Sequence, residues 1–499
     1  MELDFSSQAD YFAALLPEIV LSLWAMLVLL VDVFQKGSRS EPSSPLIPWL
    51  SLAGLGATAV ANAWLLGVQA ADSGSIAVDG FRVFSNFIFL LAAAIAILLS
   101  VGYLDRRNIN RAEYYVLILY STVGMMLLGG SRDLILLFLG LELMSVALYV
   151  LVGFDRREPR SSEGALKYFL LGAFASCFLL YGIALLFGAT GSTNMSDIAT
   201  QVEALRSNGM FLLGIALLLV GLGFKIAAIP FHMWAPDAYD GAPTPVSALM
   251  ATGVKAAGFA ALIRIFSVAL FPAYESWGGV LGWIALVTMF GGNLIATTQG
   301  SVKRMLAYSS VAHAGYLLVA VVAANQHGAS AFLFYLIVYT LMTAAAFGMV
   351  IANERGDLDR SSLQDFAGFG WQHPALGAAF TVLLLSLAGF PLTGGFIGKV
   401  YILRSSLEAG NVLLAVGLVL ASVISYFYYL RVVVIMYMRP AVEGAPAPLP
   451  LAGGARFAII GAAVALILLF FLPDPFVGAA DRSAASLFGE TATLLGLLP

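Results

Sequence analysis

Along the chain, apolar runs of about twenty residues alternate with short polar stretches, and twenty apolar residues is the helix length that crosses the hydrocarbon core of a bilayer. Fourteen such runs are legible, at about 14–34, 46–68, 81–104, 112–129, 134–154, 165–188, 210–236, 243–271, 278–298, 302–324, 329–352, 376–404, 411–438 and 457–472. Each should be helical, because lipid offers no partner to an open backbone. Two runs are interrupted: 210–236 carries Pro230 near its middle, and 376–404 carries GFPLTGG with Pro391. Proline removes a backbone hydrogen bond and clashes with the preceding turn, so both should be broken helices. Lying five runs apart, they point to inverted structural repeats with a site at each break, one over runs 4 to 8 (112–271) and one over runs 9 to 13 (278–438). The stretches between runs, the longest near 190–209, 353–374 and the APAPLP around Pro446, are too short for a soluble core. Residues 1–499 therefore read as a single membrane domain. The expected fold is an all-α integral membrane protein of about fourteen transmembrane helices with two inverted five-helix repeats, each holding a proline-broken helix.

Composition sharpens this picture. Hydrophobic residues make up 60% of the chain, charged residues 11%, and mean hydropathy is +0.92. Soluble domains carry roughly 25% charged residues, so a water-soluble protein is excluded. The 25 Lys and Arg against 29 Asp and Glu give a net charge of -4, which excludes the basic footprint of a nucleic-acid binder. Cys177 is the single cysteine, so no internal disulfide or iron–sulfur cluster is expected, and the four scattered histidines lack the spacing of a zinc site. The first run follows an acidic MELDFSSQAD, carries Glu18 and Asp32 near its ends and has no small-residue cleavage site after it, so it should not be a cleaved signal. Of the Lys and Arg residues, 14 fall in odd-numbered loops and 5 in even-numbered loops or their margins. The positive-inside rule then puts the odd loops in the cytoplasm and both termini outside.

That division leaves six basic residues within the membrane: Lys167, Lys225, Lys255, Arg264, Lys399 and Arg431. A charge at mid-bilayer costs roughly 2.5–3.5 kcal/mol on insertion scales and marks a functional candidate with a partner. The candidates form a series: Glu142 in LGLELMS, Lys225 in GLGFKIAAIP, Lys255 in ATGVKAAGF, His313 in YSSVAHAGY and Lys399 in FIGKVYI. Burial and neighbours can tune the protonation of Glu, Lys and His, whereas Arg stays charged. Such a row can hand on protons. Moving Glu142 relative to Lys225 would load or release the lysine proton, and the free backbone groups of a broken helix would bring in water to complete a wire.

Plainer uses of the same residues stand beside this reading. A buried Lys–Glu pair can simply fix helix packing, and a lone His313 can bond a neighbouring helix. Lys167 follows Glu163 by four residues, the spacing of an ordinary helix-surface ion pair. Lys399, eight residues past Pro391, can snorkel toward the external side. Arg264 and Arg431, nearer helix ends, read as snorkelling or paired, and Asp237 and Asp240 in WAPDAYDGAPTPV as shaping a loop rather than binding metal.

The stretches FKIAAIPFHMWAPDAYDGAPTPVSALMATGVKAAGFA, QGSVKRMLAYSSVAHAGY and LAGFPLTGGFIGKVYI resemble the signatures of the antiporter-like membrane subunits of respiratory complex I, NADH:quinone oxidoreductase. The resemblance covers most of the chain. The fourteen-run length without a long C-terminal lateral helix, the GAPTPV turn and lysine at 399 resemble the subunit N branch of that family, homologous to mitochondrial subunit two; the subunit M branch would be expected to carry Glu at the last position. The resemblance implies a proton-translocating subunit driven by quinone reduction in neighbouring subunits. It implies Glu142 and Lys225 as the coupling pair with Lys167 near them, Lys255 and His313 as central relay, and Lys399 toward the periplasmic exit. It further implies no cofactor on this chain, with FMN, iron–sulfur clusters and quinone on partner subunits. Its setting would be a bacterial inner (plasma) membrane, among other membrane subunits of complex I, including other antiporter-like subunits. An Mrp-type cation/proton antiporter subunit, which shares this fold, is the alternative; a small-molecule secondary transporter and a structural scaffold fit the residues less well.

Overall fold

The computed structural model describes residues 2–35, 42–70, 74–353, 361–441 and 451–494. Lys36, Arg39, Arg355, Arg360 and the APAPLP stretch, on which part of the loop reading rests, lie outside the described residues. In chain order the main helices are α1 (Leu16–Gln35), α2 (Leu46–Trp64), α3 (Gly80–Ser100), α4 (Ala112–Gly130), α5 (Leu134–Val152), α6 (Pro159–Thr190), α7 (Gly209–Lys225), α8 (Trp234–Gly241), α9 (Thr244–Ala269), α10 (Tyr274–Thr297), α11 (Val302–Val322), α12 (Gln326–Ala352), α13 (Pro374–Ala388), α14 (Gly394–Glu408), α15 (Val412–Met438), α16 (Gly453–Phe471) and α17 (Asp474–Leu494). Among the described residues, twelve helices are long and apolar enough to cross a membrane, and α7 and α13 are shorter apolar helices. The protein is a nearly all-helical, multi-pass membrane protein. One small feature departs from the all-α expectation: Glu2–Leu3 (β1) pairs in parallel with Gln69–Ala70 (β2).

Both expected interruptions are present. α7 stops at Lys225, Ala227 turns to a positive φ of 56°, and the chain passes Pro230 before α8 begins at Trp234. α13 stops at Ala388, Gly389 takes φ +83° and Leu392 φ +72°, and α14 resumes at Gly394. Gly389 is suited to that left-handed turn, and a Cβ there would stand 2.7 Å from the Lys399 side chain. Polar side chains start several of the helices: Asp133 caps α5, Asn208 caps α7, Ser301 caps α11 and Asn325 caps α12, each accepting from a backbone N–H of the first turn.

Three elements exceed the sequence expectation. α6 runs for 32 residues, starting at Pro159 in the favoured first position with Glu158 as its cap. The stretch near 190–209 holds a helix, Met195–Leu205. Beyond the last apolar run lies α17, whose Asp474, Asp481 and Arg482 keep it from reading as a span. It packs against the first turn of α3, where a Cβ on Gly80 would sit 3.2 Å from Ser483 Cα.

α9, α11 and α12 form the buried centre, while α1, α2 and α6 turn most of their surface outward. Helix pairs approach through small residues, as bilayer packing requires. A Cβ on Gly124 of α4 would stand 2.4 Å from the Met144 backbone of α5, and one on Gly292 of α10 would stand 2.6 Å from the Ala312 backbone of α11.

Two buried ion pairs anchor α3. Arg82 bonds both Glu18 oxygens at 2.8 Å, and also the carbonyls of Ala77 (2.7 Å) and Ala14 (2.9 Å). Arg264, at the C-terminal side of α9, forms a bidentate pair with Asp79 at 2.8 and 3.2 Å. It is therefore paired rather than snorkelling, while Arg431 is exposed and reaches the Thr297 carbonyl at 3.4 Å. Removing one partner of a buried pair costs about 3–5 kcal/mol, because the other charge is left uncompensated. Asp79→Ala should accordingly lower the midpoint of thermal unfolding in native membranes, with Asp79→Glu falling between. An unchanged midpoint for the alanine variant would contradict this role.

Candidate functional site

Glu142, on α5, is half-buried and accepts a hydrogen bond from Ser176 of α6. Two turns further along α5, Tyr149 packs edge-on against Tyr168 of α6, with centroids 4.8 Å apart. Lys225 lies buried where α7 breaks off. Its Nζ is 3.4 Å from the Tyr168 hydroxyl, 5.3 Å from that ring's centroid and 5.7 Å from the Tyr149 ring. No ion pair joins Glu142 to Lys225; the lysine instead faces two aromatic rings. The break is held beside it by Trp234, the first residue of α8, whose indole N–H donates to the Phe224 carbonyl at 2.9 Å and whose ring stacks on Tyr168 at 4.4 Å.

Lys255 lies at the middle of α9, immediately after a π-helical turn at Met250–Val254. Such turns recur at functional sites in helices. Its Nζ donates to the carbonyl (2.7 Å) and the hydroxyl (2.8 Å) of Ser310 on α11, and lies 5.9 Å from the Tyr239 ring. One turn past Ser310 comes His313, with no exposed surface. Its Nδ1 meets the Tyr335 hydroxyl of α12 at 2.6 Å, and its Nε2 meets the Tyr429 hydroxyl of α15 at 3.2 Å. Tyr429 in turn bonds Ser309.

Lys399 crosses the second break. From α14 its Nζ reaches back to the carbonyls of Leu387 (3.2 Å) and Ala388 (2.8 Å), the free C-terminal groups of α13. A cation there meets orphan carbonyls and the negative end of the helix dipole together. The same ammonium lies 4.8 Å from the ring of Tyr316, whose hydroxyl accepts from Asn293, and Asn293 accepts from Tyr428.

Lys255 and His313 are thus brought onto the two sides of one helix turn, and Lys225 and Lys399 each sit at a break. Lys167 is placed elsewhere. Its side chain is 43% exposed and bonds Glu163 (2.6 Å) and Asp237 (2.8 Å). Asp237 also meets Arg304 at 3.2 Å, and Arg304 lies 3.7 Å from Asp240. Glu163, Asp237, Asp240 and Arg304 line a cavity of about 390 Å3 beside Lys167. Asp237 does more than shape a loop, since it ties Lys167 of α6 to Arg304 at the start of α11, where Asp240 also meets Arg304. Partial burial works against charge on Asp237, but hydrogen bonds from Lys167 and Arg304 hold its carboxyl below the usual carboxylate range. Among the described residues, no group of three or more His, Cys, Asp or Glu is placed to hold a metal ion.

Sequence reasoning missed the hydroxyl groups that fill the space between the titratable ones: Tyr168, Tyr239, Ser310, Tyr335 and Tyr429. Tyrosine is unremarkable in an apolar run, so only Ser309 and Ser310, one turn before His313 in YSSVAHAGY, carried a signal.

A helical membrane bundle with two broken helices and a buried row of lysines and a histidine is the architecture of an antiporter-like ion-translocating protein. Residues 131–425 match the family model for the transmembrane region of NADH:quinone oxidoreductase/Mrp antiporter proteins, and the chain belongs to that family. It is 46% identical over 432 residues to NADH-quinone oxidoreductase subunit N of Trichlorobacter lovleyi, covering 86% of this chain and 88% of that one. In structure it is similar to a chain of respiratory complex I from Thermus thermophilus, with a TM-score of 0.80 and 36% identity over 94% of this chain and 100% of that one. A chain of the Mrp complex from a Dietzia species matches with a TM-score of 0.80 at 22% identity, over 97% of this chain and 99% of that one, and shares the fold.

The geometry ranks the lysines by structural weight. Lys399→Met strands two buried carbonyls and should lower stability by about 1–3 kcal/mol. Lys167→Met, at a partly exposed ion pair, should change it by about 1 kcal/mol or less. Thermal midpoints of the two variants in the same membranes check this, and the reverse order would contradict it.

Proposed function

We propose that the chain is a proton-translocating membrane subunit of an NADH:quinone oxidoreductase, with the work supplied by quinone reduction in neighbouring subunits. The observation that carries this reading is the buried row Lys225, Lys255, His313 and Lys399, interleaved with tyrosine and serine hydroxyls through the centre of the bundle. Every member can take and release a proton, and hydroxyls can pass one on while keeping their own bond.

In this reading the cluster of Lys167, Glu163, Asp237 and Arg304 is the polar mouth on the cytoplasmic side. Glu142 and Lys225 form the coupling pair, and their lack of a direct bond suits a pair whose separation changes during the cycle. Lys255 and His313 relay the proton, and Lys399 delivers it toward the periplasm. Pro230 and Pro391 create the two breaks that let Lys225 and Lys399 meet polar groups. The chain crosses a bacterial inner membrane fourteen times with both termini periplasmic. Residues 112–271 and 278–438 form inverted repeats, a division favoured by the matched glycine contacts of α4 with α5 and of α10 with α11. FMN, iron–sulfur clusters and quinone belong to partner subunits, as do the lateral contacts with other antiporter-like subunits.

An Mrp-type cation/proton antiporter role is the second reading, favoured by the shared fold, but the relatives at 40–46% identity are named as subunit N. The test is NADH-driven proton pumping and NADH:quinone turnover in membranes carrying Lys225→Ala, with assembly of the complex checked on the same sample. Removing one proton-transfer group should lower coupled turnover and pumping by about 100-fold or more. Unchanged pumping in an assembled complex would contradict the assignment, and sodium-dependent proton exchange without NADH would favour the antiporter instead.

A further inference from the structure

A separate cavity borders the end of the bundle where α17 lies across the start of α3. It measures about 620 Å3, within the roughly 300–1,000 Å3 typical of small-molecule sites. Its polar end is formed by Arg482 and Ser483 of α17 beside Gly80; its walls continue down α3 through Phe87 to Leu91, with Ile337 of α12 opposite. From Gly80 to Leu91 the helix rises about 16 Å, close to half of the roughly 30 Å hydrocarbon core. The cavity is therefore one leaflet deep, polar at the membrane surface and apolar below.

The charge at its rim is unmatched. Arg482 is exposed, and among the described residues no hydrogen bond or ion pair engages its guanidinium. Asp79, the carboxylate that lines the same cavity, is taken by Arg264 and by the Arg82 backbone N–H. Leu66, Phe87 and Phe476 are 65%, 39% and 45% exposed at its mouth, so the apolar space opens sideways rather than closing into the core. A guanidinium binds phosphate oxygens through paired hydrogen bonds, and an apolar slot one leaflet deep fits a single acyl chain.

We propose that this cavity is a binding site for a glycerophospholipid of the leaflet nearest α17, with its phosphate on Arg482 and one acyl chain lying between Phe87 and Ile337. The lipid bridges α3, α12 and α17, and so fastens α17 to the bundle at a place where protein contacts leave a gap.

The test replaces Phe87 with the photo-crosslinker benzoylphenylalanine in the intact assembly, irradiates native membranes and identifies the adduct by mass. The same probe at Leu139, an outward-facing residue of α5, serves as the bulk-lipid control. The expected adduct at Phe87 is a phospholipid. Adding Arg482→Glu should reduce it about fivefold or more, the effect of about one basic residue on an anionic lipid, without changing the Leu139 adduct, while Arg482→Lys retains most of it. An adduct on a neighbouring polypeptide or an isoprenoid quinone would overturn the proposal. So would a phospholipid adduct indifferent to Arg482→Glu, or no adduct at Phe87 while Leu139 labels.

Discussion

Hydrocarbon supplies no hydrogen bonds, so every charge and every freed backbone group in this bundle must find its partner inside the protein. The contact between Lys399 and the end of α13 shows how one need answers another. Breaking the helix at Pro391 leaves the carbonyls of Leu387 and Ala388 without donors, and placing an ammonium at mid-membrane costs roughly 2.5–3.5 kcal/mol. At 3.2 and 2.8 Å the two defects satisfy each other. Remove either and the other becomes a liability. The same logic orders the buried pairs Glu18–Arg82 and Asp79–Arg264, which hold α3 in place without entering the central row.

The three lysines of the central row are not equally well met. Lys255 and Lys399 each donate to two oxygens, and hydrogen bonds to a charged group contribute about 1.5–3 kcal/mol apiece, enough to offset insertion. Lys225 has one long contact, to Tyr168, and two aromatic faces; cation–π attraction contributes about 0.5–2 kcal/mol per face, less than the two charged hydrogen bonds of Lys255 or Lys399. The least compensated charge therefore sits at the first break, one helix away from Glu142. That is where a small movement of α5, or the entry of water, changes the balance most. His313 is fixed differently, held at both ring nitrogens by Tyr335 and Tyr429, an arrangement in which a proton arriving at one nitrogen can leave from the other.

Much of this was legible beforehand because a lipid solvent imposes its own arithmetic. Helix length follows from bilayer thickness, so apolar runs found the spans, and Pro230 and Pro391 found the breaks. The charged candidates announced themselves by their expense in an apolar run. What stayed hidden depended on side chains that cost little to bury. Tyr168, Tyr335 and Tyr429 count as hydrophobic in any tally, and the π turn before Lys255 has no residue signature of its own. α17 escaped notice because its mixed face matches no transmembrane period. The exposure of Lys167 and its tie to Asp237, 70 positions away, needed the packing of α6 on α8 to become visible. So did the absence of a direct bond between Glu142 and Lys225, which the sequence paired only as a coupled set.

The central claim is that a continuous polar path joins the two breaks through Lys225, Lys255, His313 and Lys399. A map of the assembled complex fine enough to show ordered water tests it most directly. The account predicts waters bonded to the Lys225 ammonium and bridging the hydroxyls between Lys255 and Lys399. A dry, apolar gap on either side of His313 in every state of the turnover cycle would contradict it.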